Sequence, residues 1–359
     1  MITRTTTDGK MREEASGVGT TCARRRALIA AGLAAACAPR WAFAAMRTVR
    51  ISKGYGLLYL PLLVMEKLRL FERYASQQGL GNVTVDWVLL DGGNSVDDAM
   101  MAGTLDFAAV GAPGFIELWA RARGIPNVEV IGISGLSTTS LSLNTNQQRI
   151  TSLDDFTASD RIAVPGIRTS LSAVVLQMIA GRMLGQQHFA RLDAITVALP
   201  HPQALRALVG REQGITAHFT SPPFSTVELQ DPGIHRVTDS IDVLGPLTLD
   251  VVYAPRHLVE TEPALAHAFL GALDEANRFI DQERRSAAGI YVASSALRLS
   301  EDSVIRMLAE PQTRFSVWPE QLMEYVDFLY IVGTIKTKPR VWNEMFWPAL
   351  AGFRSSHAA

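Results

Sequence analysis

An α/β fold with parallel strands is predicted for this chain by three observations. From Met46 onward short apolar runs alternate with segments of helical period, and the runs end at turns rich in Gly, Pro and Ser. The rhythm then breaks off and restarts near Leu141, which in a chain of 359 residues predicts two α/β units rather than one core.

The first strand is Val49-Arg50-Ile51, ending at Gly54-Tyr55-Gly56. A helix follows, with Pro61 in its first turn, where a missing N–H costs little, and Leu62, Met65 and Leu68 along it. Val83, Val85, Trp87 and Leu89 alternate as a second strand, and Asp91-Gly92-Gly93-Asn94-Ser95 supplies the turn and cap for a helix over 96–103. Residues 105–110 form a third strand, Gly111-Ala112-Pro113-Gly114 its turn, 115–123 the next helix and 128–133 a fourth strand. The second unit opens at Leu141-Ser142-Leu143 and passes a short capped helix at Ser152-Leu153-Asp154-Asp155-Phe156. The strand Arg161-Ile162-Ala163-Val164 stops at Pro165-Gly166, and the helix from Thr169 to Leu184 carries so few polar breaks that much of it should be buried. Strands at 194–199 and 215–219, a helix from His201 and the turn Thr220-Ser221-Pro222-Pro223 complete that unit. The final third reads as helices beginning at Thr261-Glu262-Pro263 and covering about 284–293, 301–308 and 319–332. No flexible linker separates the two units, so the chain is expected to cross between them more than once.

The N-terminal stretch predicts export. Arg24-Arg25-Arg26 precedes an apolar run over 27–38, and Ala42-Phe43-Ala44 suits cleavage after Ala44. The run is shorter than the roughly 20 residues that span a bilayer, and the paired arginines point to the twin-arginine route, with an ordinary secretory signal as the alternative. A lipoprotein cleaved before Cys37, which would be acylated, is a further alternative, although Ala34 stands where the cleavage box wants leucine. Both cysteines, Cys22 and Cys37, fall in this stretch, so the exported chain is expected to hold no disulfide, thiolate metal site or cysteine nucleophile. Its 315 residues carry 27 basic and 32 acidic side chains, a net charge of −5. The largest basic group is the sparse Lys336-Thr337-Lys338-Pro339-Arg340, which argues against nucleic acid as a partner.

Motifs for cofactor chemistry are missing. Gly54-Tyr55-Gly56-Leu57-Leu58-Tyr59 has Tyr59 where a dinucleotide loop needs its third glycine. No phosphate loop occurs, and Gly132-Ile133-Ser134-Gly135 lacks the spacing of a hydrolase elbow. His188, His201, His218, His235, His257 and His267 show no metal-ligand spacing, so neither metal nor cofactor is expected. His218 stands apart, because it ends a strand beside Thr220-Ser221.

Several segments resemble one family. "VRISKGYGLLYLPLLVMEKLRLFERYASQQGL", "VDWVLLDGGNSVDDAMMAGTLDFAAVGAPGF", "DRIAVPGIRTSLSAVVLQMIAG", "AHFTSPPF" and "GPLTLDVVYAPRHLVETEP" are similar to the extracytoplasmic solute-binding proteins of nitrate, taurine and alkanesulfonate importers. The resemblance implies a two-lobed type II periplasmic binding protein fold with a ligand cleft between lobes. The expected division is a cleaved signal over 1–44, a first lobe over 45–138, a second over 139–246, and a return to the first with C-terminal helices over 247–359. It also implies a periplasmic, non-enzymatic monomer that captures a small anion, such as a sulfonate or nitrate, for an inner-membrane ABC permease with a cytoplasmic ATPase. Two alternatives carry other functions: an enzyme of the thiamine-pyrimidine synthase type, whose cysteine-rich motif is absent here, and a binding protein that reports to a membrane sensor.

In open α/β sheets ligands gather beyond the carboxyl ends of strands, where helix N–H groups point outward. The loops of that character nominate Tyr55, Gly56, Asn94, Ala112, Pro113, Ser137, Thr138, Arg168, Thr169, Ser170, His218, Thr220 and Ser221 as ligand residues, with none catalytic. Arg168, at the start of the helix after Val164, is expected to be the main contact of an anion. The alternative for Arg168 is a solvated position or a pairing with a carboxylate such as Asp250.

Overall fold

A computed structural model describes residues 47–353. The expected export signal and cleavage point, and both cysteines, lie outside the described residues. Two sheets organise the rest. The chain opens with β1 (Arg47–Lys53), a 3-10 turn at Leu57–Tyr59, α1 (Leu60–Leu68) with Pro61 in its first turn, and α2 (Leu70–Gln77). Next come β2 (Val83–Leu89), α3 (Gly93–Met101), β3 (Ala108–Gly111), α4 (Ala112–Ala122) and β4 (Val130–Thr138). The chain then leaves for the second sheet: β5 (Ser142–Thr145), β6 (Ile162–Val164), α5 (Leu171–Leu184), β7 (Thr196–Ala198), α6 (His201–Gly210), β8 (Ala217–Thr220), α7 (Phe224–Glu228), β9 (His235–Asp239) and α8 (Ser240–Leu244). It returns through β10 (Asp250–Pro255), α9 (Arg256–Thr261), the 20-residue α10 (Pro263–Gln282), α11 (Arg284–Ser294), α12 (Glu301–Ala309), β11 (Arg314–Phe315), α13 (Leu322–Ile331) and α14 (Pro348–Gly352).

The first sheet runs β11-β4-β10-β3, and β1-β2 extends it through a parallel bridge between Ile51 and Phe107. Ser52 makes that join: its N–H donates to Phe107 O at 3.0 Å, and its hydroxyl accepts from Ala109 N at 3.0 Å. The second sheet runs β7-β6-β8-β5-β9. Parallel strands were expected, and both sheets are mixed. β10 lies antiparallel between β3 and β4, and β5 lies antiparallel between β8 and β9. These two strands are the crossing points, since each follows a passage from one sheet to the other. β9 and β10 had no place in the expected element order. β10 reads Asp-Val-Val-Tyr-Ala-Pro with no alternation because both of its faces are covered, and such a short run carries no periodic signal.

Boundaries differ in smaller ways. The expected turn at Gly111–Gly114 is the start of α4, because Pro113 sits in the first helical turn, where proline is tolerated. The expected cap of α3 is Gly92, with no side-chain hydrogen bond, and Asn94 and Ser95 lie inside the helix. Residues 152–156 form a single 3-10 turn closed by a Ser152–Asp155 capping box. Packing of α10 against the first sheet supplies the main core: Phe107 and Phe269 stack at 4.9 Å, with Phe71 edge-on to both.

Candidate functional site

The carboxyl ends of β1, β2 and β3 face those of β6 and β8, and the two sets of loops touch. Leu57 N–H donates to Pro222 O at 3.1 Å. A Cβ built at Gly56 would sit 3.4 Å from Pro222 O, one at Gly93 3.4 Å from Thr169 O, and one at Gly111 2.6 Å from the Cβ of Leu171. Gly111 has the least room, since a Cβ there would press on the Cβ of Leu171, while Gly56 and Gly93 bring main chain close to main chain at ordinary contact distance. Gly56 also has φ 99°, a conformation that side chains disfavour.

Behind this seam lies a cleft lined from the first sheet by Tyr55, Leu58, Tyr59, Leu90, Asp91 and Asp250 among others, and from the second by Leu141, Pro165, Ser170, Ser172, His201 and Ser221. Among the described residues no lysine or arginine lines it. Asp250 opens β10, level with Gly111 on β3 and Ser137 on β4. Its carboxylate accepts from the Tyr59 hydroxyl at 2.9 Å and the Ser137 hydroxyl at 3.4 Å. Burial pushes the Asp250 carboxyl up to about 6 against the pull of those two donors. Asp91, just past β2, is also raised by burial, although the backbone N–H groups of His201 and Gly92 draw it back. Its Oδ2 is buried and has no hydrogen-bond partner.

A chain of three buried groups supports His201 from behind. Glu228 and His218 are fully buried; Glu228 Oε1 meets His218 Nδ1 at 2.5 Å, and Asn144 Nδ2 donates to Glu228 Oε2 at 2.9 Å. The far nitrogen of His218, Nε2, lies 2.8 Å from His201 Nδ1, which also meets Thr220 Oγ1 at 3.0 Å. The ring of His201 stacks on Phe224 at 5.4 Å. Burial first, and then His218, push His201 well below the ordinary histidine value, so its ring is neutral. These contacts fix the ring that faces the cleft.

The thirteen nominated residues divide as follows. Tyr55, Ser170 and Ser221 line the cleft. Gly56 shapes the seam, Ser137 holds Asp250, and His218 and Thr220 hold His201. Ala112 and Pro113 are buried in the first turn of α4, Thr138 pairs with Arg314 on β11, and Thr169 meets only Ile167 O. Asn94 is exposed on α3. Arg168 does not line the cleft: at φ 65° its side chain points out, 71 % exposed, with Nε 3.3 Å from Asp193, which Gln177 also holds. It therefore pairs with Asp193 rather than with Asp250. Asp91, Asp250, Tyr59 and His201 were not nominated. The signal for His201 lay in its place after a strand, and the two aspartates likewise mark strand ends, but a carboxylate in a loop reads as solvated until its burial is seen.

Among the described residues no cluster of three or more His, Cys, Asp or Glu could hold a metal ion. No helix among them is long and apolar enough to cross a membrane.

No family profile matches the sequence, and no curated protein matches it. Solved structures do match the fold. The alkanesulfonate-binding protein of Xanthomonas axonopodis pv. citri, bound to MOPS, superposes with a TM-score of 0.65 at 16 % identity, over 84 % of this chain and 98 % of that one. The periplasmic nitrate-binding protein of Synechocystis gives 0.60 at 13 % identity, over 82 % of this chain and 83 % of that one. A Candida albicans gene product, described as having the generic periplasmic binding protein fold, gives 0.61 at 13 % identity over 82 % and 92 %. At these identities the shared property is architecture: the chain has the two-lobed α/β fold of the periplasmic binding proteins.

Proposed function

We propose that this protein is the solute-binding component of an ABC importer, exported with its signal removed after Ala44, working as a monomer and handing a small molecule to a membrane permease served by an ATPase. The observation that supports this reading best is the cleft, where the carboxyl ends of strands from both sheets meet around buried polar side chains. The lobes in this reading are 45–138 with 247–359, and 139–246, and the crossings at 136–141 and 245–249 act as hinges. The chemistry of the cleft favours binding without turnover. His201 is held by His218 and Thr220, and no hydroxyl nucleophile is paired with its remaining nitrogen.

The resemblance to sulfonate and nitrate importers suggested an anionic solute, but the arginine nominated to receive it lies outside the cleft. A thermal-shift screen of sulfonates, nitrate, carboxylates, pyrimidines and amines tests the general reading. A true solute at ~100 times its dissociation constant adds about 2.7 kcal/mol to the folded state. The expected result is at least one clear stabiliser, recovered chemically unchanged; a modified product after incubation would instead mark an enzyme.

A further inference from the structure

We infer that the cleft is built for a nitrogen base that presents N–H donors, such as an amine, an amidine or an amino-substituted heterocycle, and not for an oxyanion. The inference rests on the solute-binding reading and names its ligand class.

Positive charge is what an oxyanion would need, and the cleft offers none from side chains. Among the described residues its lining contains no lysine or arginine, and burial holds its one histidine, His201, toward the neutral form. Helix N-termini could take the place of a cation, since α3, α4, α5 and α6 all begin at the cleft. Each, however, already gives at least one of those N–H groups to the chain itself. The Asp91 carboxylate faces the N–H groups of Gly92, at the start of α3, and His201, at the start of α6. Ala112 N–H, the first of α4, donates to Leu249 O at 2.8 Å. The hydroxyl of Ser170 accepts from Ala173 N at 3.2 Å and caps α5. Asp91 thus occupies the position that a bound anion would take at two of the four helices.

What the cleft offers in surplus is acceptors. Asp91 Oδ2 is buried and unpartnered, and a carboxylate oxygen withdrawn from water without a donor is a cost that a ligand N–H removes. The Asp250 carboxylate has one short donor, Tyr59, and one long one, Ser137, which leaves acceptor capacity on an oxygen pair. The hydroxyls of Ser170 and Ser221 are turned toward the main chain, to Gly166 O at 2.7 Å and Pro222 O at 3.5 Å. The half-buried ring of Tyr55 adds an aromatic wall suited to a flat or cationic group.

The test uses titration calorimetry on the exported protein with two pairs matched in shape: guanidinium against nitrate, and benzamidine against benzoate. The nitrogen member of each pair is expected to bind at least tenfold tighter. Asp91→Asn and Asp250→Asn are each expected to weaken benzamidine by roughly 10–100-fold, the range of a hydrogen bond to a charged group. Melting curves of both variants without ligand show whether they fold, and Asp91→Asn, which breaks no side-chain hydrogen bond like the Tyr59 and Ser137 bonds of Asp250, is the safer of the two. Equal or tighter binding of nitrate or benzoate overturns the inference while leaving a solute-binding protein. Unchanged benzamidine affinity in both folded variants overturns it as well. Failure of both nitrogen compounds to bind at millimolar concentration also overturns it, and the broad thermal-shift screen then decides separately whether the cleft takes a solute at all.

Discussion

Two carboxylates and two imidazoles, all withdrawn from water, set the character of the cleft, and each can be changed singly. The Asp250 carboxyl is raised to about 6, above the ordinary aspartate value of 3.8, so the folded state binds its proton more tightly than the unfolded chain. Its favourable contribution is therefore complete below about pH 4 and is lost as pH rises through about 6. Stability of Asp250→Asn relative to the parent, without ligand, is expected to improve by on the order of 2 kcal/mol between about pH 4 and about pH 7, read from urea unfolding at each pH. Glu117, raised by burial to about 7 outside the cleft, supplies the same trend and remains in both proteins as an internal control. His218 tests a different cost. His218→Leu leaves Glu228 buried with only Asn144 beside it and should destabilise by about 3 kcal/mol, while Glu228→Leu added to it should recover part of that loss. The sequence showed that His218 was unusual, because it ended a strand near small polar residues. It could not show the partner, since Glu228 is ten positions away on the next helix and the contact exists only once β8 and α7 pack.

Elements were legible wherever a segment had a period and a stop signal. α5 was expected from Thr169 to Leu184 and runs from Leu171 to Leu184, with Ser170 as its cap and Gly185 after its end. The strands inserted in reverse were not legible. β5 and β10 are short and covered on both faces, and their direction depends on which sheet the chain has just left. Arg168 shows the same limit in a loop. A positive charge before a helix looks like an anion contact, but one positive φ turns the side chain outward to Asp193. At this scale Ser170 can be assigned by measurement. Ser170→Ala should cost about 1 kcal/mol of stability through the lost cap. Because its hydroxyl already bonds Gly166 O, ligand affinity should stay within a factor of a few; a larger loss in calorimetry would make Ser170 a ligand contact as well.

For the whole molecule, the loops of the two sheets meet at Gly56 and Gly93 through main chain and at Gly111 against the Cβ of Leu171. If the crossings at 136–141 and 245–249 are hinges, ligand-free protein should sample a wider form, and small-angle scattering should show the radius of gyration falling on addition of ligand. Gly111 gives the sharper experiment. Its φ of −53° suits any residue, so Gly111→Ala should fold normally, but the added methyl meets the Cβ of Leu171 at 2.6 Å. The variant is expected to keep the parent melting temperature without ligand, bind its solute at least tenfold more weakly, and show no contraction in scattering. An unchanged affinity would place closure elsewhere. The architecture of two sheets was legible from the restart of the α/β rhythm. The seam was not, because glycines that permit close approach look the same in a sequence as glycines that make turns.

The meeting of backbone with backbone at that seam separates two properties that many binding sites tie together. At Gly56 and Gly93 the lips of the cleft touch through main-chain atoms, while in the proposed function the choice of solute falls to side chains set behind them, Asp91, Asp250, Tyr55 and His201. Replacing the lining can therefore re-aim the protein at a new solute without rebuilding the mouth that shuts on it.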